Sequence, residues 1–335
     1  MPKAPEFSGR DMTELLDAIE PRLRRRFLEM IDAIRAELSI QSLAAMIREG
    51  RIDEAIDVYE RASTIFAREL TDAFGESATT TGNFVSDALD ILVGYDQFDP
   101  VAVQYAASNE LSVVREFSEE QREVTRRVIA EGVARGTNPI EQAREIREAI
   151  GLTTKQEAAV ASYRESLENL STNALDRALR DRRFDKTVEA AIAAKENLSK
   201  EQIDRMVERY RERYLKYRSE VIARTEALRA VNAGSEEMFR QVIESGDIRH
   251  DQVVRTWHTA DDERVRDAHR NMQVAEVGIG EPFVDGDGNQ IMFPGDPNAP
   301  PETTIQCRCV VATRLVLTPR VRTPDEATEK VNLTA

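Results

Sequence analysis

The stretch "VVRTWH" (residues 253–258) is the point at which the periodicity of the sequence changes. Its residues alternate in character, as they do in a short β-strand. Upstream of Gly246 the apolar residues instead recur every three or four positions, which is the spacing of one face of an α-helix. We therefore expect an α+β protein, in which a long and mainly helical N-terminal part is followed by a small α+β module with a few antiparallel strands.

The residues that follow this strand predict the rest of the module. "TADDERVRDAHRNM" (259–272) predicts a short helix over residues 260–271, with Thr259 as its N-cap. "PFVDGDGNQIMFPGDP" (282–297) predicts a β-hairpin that turns at Asp-Gly or Gly-Asn within residues 287–289. "TTIQCRCVVATRLVL" (303–317) alternates again, which predicts a closing strand.

The residues that precede it predict helices separated by two breaks. Helical periodicity is clear over residues 11–75, whereas the polar stretches 75–83 and 92–100 predict loops. A long helical pattern runs from Ser199 to about Ser245. Because glycine weakens a helix, we expect Gly234 to divide this pattern into two collinear helices.

Capping motifs mark several expected helix starts. The sequence "GTNPIEQAREIREAIG" (136–151) has Asn138 as N-cap, a proline at the first helical position and a terminal glycine, so a helix is expected between them. Three further pairs fit a capping box, in which a hydroxyl residue is followed three positions later by glutamine. They are Ser118 with Gln121, Thr153 with Gln156, and Ser199 with Gln202.

Composition and charge limit the class of protein. Hydrophobic residues make up 41% and charged residues 32% of the 335 residues, which is typical of a folded chain. The formal net charge is -15, so nonspecific binding to DNA through phosphate neutralisation is unfavourable. The start of the chain has no apolar segment of a secretory signal, and no apolar run approaches the ~20 residues of a membrane span. We expect a protein of the cytoplasm without a membrane partner.

The two cysteines, Cys307 and Cys309, are the first candidates for chemistry. On a strand their Cα atoms would lie ~6.5–7 Å apart on one face, which is at or beyond the limit of an unstrained disulfide. A structural zinc site needs four ligands. His269 on the short helix could supply a third, and His258 or Asp285 a fourth. The alternative is two buried thiols that pack as small apolar side chains.

The sequence gives little support for an enzyme. We find no nucleophile beside a base, no glycine-rich phosphate loop and no paired carboxylates with an evident role. Arg224 and Glu226 lie two positions apart on a helix and so do not face one another. We expect both to pair with groups of the α+β module and to fix the helix against it.

Several motifs in one order resemble the phage Mu F-like head morphogenesis family, the minor head proteins of tailed phages. They are "IARTEALRAVNAG" (222–234), "WHTADDERVRDAHRNM" (257–272) and "PGDPNAPPETTIQCRC" (294–309). Helical motifs upstream extend the resemblance to about residue 115. It implies a division into residues 1–110 of unknown role, a helical region 111–219, the Mu F-like α+β module 220–318 and a flexible tail 319–335.

The resemblance also implies a set of signature residues. They are Arg224, Thr225, Glu226, Trp257, Asp262, Arg264, Arg266, His269, Pro294, Asp296, Cys307 and Cys309. Some relatives have a C-x-x-C pair where this chain has residues 266–269, and such a pair together with C-R-C resembles a zinc site. This chain keeps His269 but has Arg266 in place of the other ligand, which leaves His269, Cys307 and Cys309 as the candidate metal ligands.

The function that the resemblance implies is structural. Such a protein would be a low-copy component of the capsid interior, associated with the portal protein and with the major capsid or scaffolding protein, and present in the host cytoplasm during assembly. Roles in DNA packaging or ejection stay open. Two alternatives are a delivered effector or metal-assisted hydrolase built on the C-terminal module, and an ejection protein that binds DNA through Arg22, Arg24, Arg25 and Arg26.

Overall fold

A computed structural model describes residues 4–317 of the chain. It is mainly helical, with short antiparallel strands in the C-terminal region, and this confirms the expected α+β class. The tail expected at residues 319–335 lies outside the described residues. None of the helices within residues 4–317 combines the length and the apolar character that a membrane crossing requires.

The elements are numbered in chain order. The α-helices are α1 (Gly9–Glu37), α2 (Ile40–Glu49), α3 (Asp53–Leu89), α4 (Pro100–Arg135), α5 (Pro139–Ala149), α6 (Thr154–Glu168), α7 (Asp185–Ala194), α8 (Lys200–Glu244), α9 (Asp267–Arg270) and α10 (Pro301–Thr304). The strands are β1 (Glu6–Phe7), β2 (Val253–His258), β3 (Glu276–Gly278), β4 (Phe283–Val284), β5 (Gln290–Ile291) and β6 (Val310–Leu315). Short 3-10 helices lie at Thr172–Ala174, Arg182–Phe184 and His250–Gln252.

The described chain forms two compact units. The sheet unit contains residues 4–15, 77–95 and 232–317, and the helical unit contains residues 16–76 and 96–231. The core of the helical unit includes a cluster built from α6, α7 and the first part of α8, with Tyr163 and Tyr210 among its buried side chains. The segment boundaries drawn from the sequence at residues 110 and 219 stay predictions.

The sheet unit is built on an antiparallel sheet in the order β1-β6-β2-β3. Strand β2 has the predicted bounds, and the predicted hairpin is present as β4 and β5, with Gly288 at a positive φ of 85° in its turn. The closing strand β6 begins later than predicted, at Val310, so neither cysteine is on it. Strand β1 was not foreseen, because a two-residue strand carries no periodic signal.

Two predicted interruptions of helices are wrong. Helix α3 continues through residues 75–83, and α8 continues through Gly234. In α3, Ser77 and Thr81 are fully buried, and a Cβ added at Gly82 would lie 3.1 Å from the sulfur of Met238. These small residues allow close packing of α3 against α8 inside the sheet unit. Packing of this kind outweighs the weak local preferences of glycine, serine and threonine.

The capping motifs gave correct helix starts in most cases. Asn138 accepts hydrogen bonds from two backbone N–H groups at the start of α5. Thr153 forms a complete capping box with Gln156, and Ser199 has the same two reciprocal bonds with Gln202. The break predicted at residues 92–100 is also present, between α3 and α4.

The pair Ser118 and Gln121 is the exception, since both lie in the middle of α4. Gln121 is buried, its amide nitrogen donates to the carbonyl of Leu152 at 3.1 Å, and its amide oxygen accepts from the N–H of Gly151 at 2.9 Å. Gln121 therefore holds the turn between α5 and α6 against α4 instead of capping a helix.

We predict that Gln121→Leu lowers the free energy of unfolding of the helical unit by about 1–3 kcal/mol. The buried N–H of Gly151 and the carbonyl of Leu152 would both lose their partner. Denaturant unfolding followed by far-UV circular dichroism measures the change. The matched control is Gln41→Leu at an exposed position of α2, and equal effects of the two substitutions would contradict the assigned role.

Candidate metal centre

Arg255, in the middle of β2, is the charged group around which the sheet unit is built. The burial of β2 alternates, and Val253, Arg255 and Trp257 are on its buried face, with Arg255 only 1% exposed. Sequence reasoning missed Arg255, although its period-two spacing from Val253 and Trp257 was a signal for burial.

The guanidinium of Arg255 contacts four segments of the chain. It pairs with the Glu236 carboxylate of α8, and it donates to the carbonyls of Gly278 at 3.1 Å and Met292 at 2.8 Å and to that of Glu281. It also lies over the Phe283 ring, 5.3 Å from the centroid. Burial raises the pKa of Glu236 although Arg255 opposes the shift.

Trp257, the next inward-facing residue of β2, packs against His269, one of the candidate metal ligands. It is fully buried, and its ring makes edge contacts with His269 at 5.5 Å and with Phe283 at 5.2 Å between centroids. The Trp257 indole N–H has no hydrogen-bond partner among the described residues. His269 is therefore held against an aromatic surface.

The segment that carries His269 is a turn followed by one helical turn. The helix predicted over residues 260–271 is present only as α9, at Asp267–Arg270. The reason is that the Asp262 carboxylate accepts from the N–H of Arg264 at 2.9 Å and pairs with the Arg308 guanidinium, which closes a local turn. The hydrogen bond from Arg308 holds the pKa of Asp262 well below its ordinary value.

Two further contacts fix the position of α9. The N–H of Gly286 in the hairpin donates to the carbonyl of Ala268 at 3.0 Å, and a Cβ at Gly286 would lie 2.5 Å from the Asn271 amide nitrogen. Arg266 donates to the carbonyl of Ile305, just before the cysteines. Arg264, in contrast, has a side chain that is 72% exposed.

The loop after β5 is organised by Asp296, which is 3% exposed. Its carboxylate accepts from the N–H groups of Met292 at 2.9 Å and Asn298 at 2.8 Å. Asn232 of α8 donates to the carbonyl of Pro294 at 3.1 Å. Asp296 therefore organises the loop itself, and the carbonyl of Pro294 joins the loop to α8.

The structure brings His269, Cys307 and Cys309 together. The Nδ1 atom of His269 lies 3.6 Å from each sulfur, and the three ligand atoms all lie within 4.8 Å of one another. All three side chains are buried. Neither His258 nor Asp285, the other two candidate ligands from the sequence, belongs to this group within residues 4–317.

The pKa values of the two thiols are shifted in opposite directions. Hydrogen bonding from Cys309, supported by His269, lowers the pKa of Cys307 well below its ordinary value. The same hydrogen bond, together with burial, raises the pKa of Cys309. The Cys307 sulfur is therefore the one that carries negative charge most readily, and a thiolate is the form of cysteine that binds metals.

The distances fit three of the four ligand positions of a tetrahedral zinc ion. With Zn–S of ~2.3 Å and Zn–N of ~2.0–2.1 Å, two ligands of a tetrahedral ion are about 3.5–3.6 Å apart for a nitrogen and a sulfur. The observed separations of 3.6 Å from Nδ1 to both sulfurs agree with this value. The other ring nitrogen of His269, Nε2, is buried and has no hydrogen-bond partner among the described residues.

The remaining signature residues are in α8, within the helical unit. Arg224 pairs with Glu20 of α1 at 2.9 Å, and Glu226 pairs with Arg229 of α8 at 3.0 Å. Burial raises the pKa of Glu226, and the Thr225 hydroxyl donates to the Val221 carbonyl. The expectation that Arg224 and Glu226 pair with groups of the α+β module is therefore wrong, because both find closer partners on helices.

A family model matches the part of the chain that contains the candidate metal centre. The model described as Phage Mu protein F like protein matches residues 182–312. This segment is phage Mu F-like. The match contains the centre formed by His269, Cys307 and Cys309, and it confirms the resemblance seen in the sequence for residues 182–312. No curated protein and no solved structure matches the chain.

The matched segment is similar to a family of phage head morphogenesis proteins. Partners in capsid assembly are implied for that family in general. That family is a structural one.

We predict that Arg255→Met destabilises the sheet unit by about 3–5 kcal/mol, because a buried carboxylate and three carbonyls would lose their donor. Denaturant unfolding followed by the fluorescence of Trp257 measures this, since the chain has a single tryptophan. The control is Arg314→Met on β6, whose pair with Glu276 is exposed and should contribute less than about 1 kcal/mol. Similar losses in both variants would show that Arg255 has no special role.

Proposed function

We propose that this protein is a minor head protein, a low-copy structural component of the capsid interior that is associated with the portal and acts in procapsid assembly. The observation that carries the proposal is the match of residues 182–312 to the Mu F-like family. The fold adds support, because the match includes residues 232–312 of the sheet unit, whose buried charged groups are engaged with other parts of the same unit.

The use of those charged groups favours a structural role over catalysis. Arg255, Asp262 and Asp296 are satisfied by backbone groups or by opposite charges of the sheet unit. A catalytic group must instead reach a substrate with free donors or acceptors. The polar residues of this unit therefore serve to join its loops to its sheet and to α8.

The charge distribution favours protein partners over DNA. Within the basic cluster, Arg22 pairs with Glu69 and Glu76, and Arg26 pairs with Glu29 and Glu69. With these guanidinium groups neutralised and a net charge of -15, the surface is poorly suited to phosphate contacts. We infer that the partners are the portal protein and the major capsid or scaffolding protein, and that the protein is a component of the virion.

Quantitative mass spectrometry of purified procapsids and mature particles tests this function. We expect a few copies of the chain per particle, counted relative to the portal protein as an internal standard, and loss of these copies from particles that assemble without the portal. Absence from both kinds of particle would contradict the proposal. Unchanged copy number without the portal would contradict the portal association alone.

We also propose that His269, Cys307 and Cys309 bind one zinc ion that ties α9 to the segment before β6. The agreement of both Nδ1–Sγ distances with tetrahedral zinc supports this assignment. The ion would act as a structural cross-link, and its binding free energy would add to the stability of the sheet unit.

The zinc site predicts a metal content and a stability change. We expect about one zinc per chain in the purified protein, measured by inductively coupled plasma mass spectrometry, and a lower midpoint of unfolding after chelation. Cys307→Ser combined with Cys309→Ser should abolish zinc binding. The control His250→Ala, at an exposed histidine, should retain it. A folded wild-type protein that takes up no zinc on titration would refute the metal site but not the head protein assignment.

A further inference from the structure

The loop that follows α3 presents one leucine to solvent. Leu92 is 99% exposed, whereas the other exposed large apolar side chains of the sheet unit reach at most 62%, at Val274. A Cβ added at Gly94 would meet no atom within 4 Å, so this part of the loop borders open space. We call residues 90–95 the Leu92 loop. Because single exposed apolar residues are common, the significance of Leu92 depends on the loop that carries it.

Hydrogen bonds fix the shape of the Leu92 loop. Helix α3 ends with Asp90 in the left-handed conformation, at a φ of 53°, and the N–H of Ile91 donates to the carbonyl of Ser86 at 3.2 Å. This is the pattern of a Schellman motif. The Ser86 hydroxyl then accepts from the N–H of Val93 at 3.0 Å and lies 3.1 Å from the carbonyl oxygen of the same residue. The loop is therefore folded back against the end of its own helix.

Apolar contacts hold the residues that follow Leu92. The side chains of Val93 and Tyr95 pack against the core cluster of the sheet unit, which includes Val85 and Met238. With these neighbours fixed on the core, Leu92 stays on the solvent side of the loop. A loop that already has one shape loses less conformational entropy when a partner binds to it. Leu92 is therefore presented in advance of binding.

The charge of the sequence around the loop has one sign. Residues 69–114 contain no lysine or arginine and eight acidic residues, which account for more than half of the net charge of -15. The eight are Glu69, Asp72, Glu76, Asp87, Asp90, Asp96, Asp99 and Glu110. Asp87 and Asp90, at the base of the Leu92 loop, are exposed and form no ion pair within residues 4–317. These two carboxylates are therefore available to attract a positive group of another molecule.

The combination of an apolar tip and unpaired carboxylates limits the kind of partner. Nucleic acid is disfavoured, because its phosphates carry the same charge as the loop. A second copy of this loop is disfavoured for the same reason, since like charges brought together oppose association. An exposed leucine flanked by carboxylates instead matches an apolar pocket that is bordered by lysine or arginine.

We propose that the Leu92 loop is a docking element, which inserts Leu92 into an apolar pocket bordered by lysine or arginine on a different protein. This inference goes beyond the proposed function and does not depend on it, because residues 90–95 lie outside the matched segment 182–312. Docking should weaken as the salt concentration rises, since the carboxylates at the base of the loop are exposed and screened by salt.

Photo-cross-linking from position 92 of the full chain tests the proposal in the cells that produce the particles. Leu92 is replaced by p-benzoyl-L-phenylalanine, the cells are irradiated, and the cross-linked peptides are identified by mass spectrometry. We expect an adduct with one other protein, in a peptide that carries lysine or arginine beside apolar residues. The matched position is Leu317, which is 43% exposed in the same unit. It should give at least about tenfold less adduct, because only a docked side chain is held against a partner.

Asp87→Lys tests the contribution of charge. It should lower the yield of the adduct from position 92 at least about threefold, because it places a positive charge opposite a basic rim. The matched control is Asp287→Lys, at an exposed position of the β4–β5 hairpin. This control should leave the yield unchanged, and thermal unfolding followed by circular dichroism should show that both variants keep the stability of the original chain.

Each result decides the proposal. It is overturned by the absence of an adduct at position 92, by an equal adduct at position 317, or by an adduct with an acidic peptide or with a second copy of this chain. Equal effects of Asp87→Lys and Asp287→Lys also overturn it. The copy number of the unmodified chain in particles from the same cells tests the head protein assignment separately. Copies in the particle without an adduct at position 92 reject the docking element alone.

Discussion

The sheet unit depends on the burial of one positive charge. Arg255 lies on the inward face of β2, where an unpaired guanidinium would be strongly destabilising. The fold meets this constraint by directing a carboxylate from α8 and three carbonyls from separate segments to the same side chain. Glu281 and Met292 lie outside the helices and strands, so the buried charge helps to fix the position of their loops.

The same principle extends from the sheet to the candidate metal centre. Arg308 pairs with Asp262, and Arg266 donates to the carbonyl of Ile305, so arginine side chains join the turn before α9 to the residues around the cysteines. The proximity of His269 to both sulfurs follows from these connections and from the contact of Gly286 with Ala268. A metal ion would therefore bind to ligands that the protein has already brought together.

Sequence reasoning succeeded where the signal was local. Strand β2, the β4–β5 hairpin and the caps at Asn138 and Thr153 depend on alternation, turn residues and short-range hydrogen bonds. Sequence reasoning failed where contacts between residues distant in sequence determine the local structure. Residues 75–83 of α3 are an example, because their small side chains pack against α8. The shortened helix α9 and the role of Gln121 are further cases, since Arg308 and the turn at Gly151 are far away in sequence. The grouping of His269 with the cysteines was foreseen, but not the arginines that hold it.

The pairing of β1 with β6 sets the order in which the chain can complete its fold. Glu6 pairs with Arg314 and Phe7 with Thr313, so β1 cannot pair until β6 has been synthesised. The helical unit, made of residues 16–76 and 96–231, is synthesised well before this partner appears. Closure of such a long loop is slow compared with the formation of local helices. The sheet unit is therefore completed only after β6 has been synthesised, and the backbone of residues 6–7 is an unpaired strand edge until then.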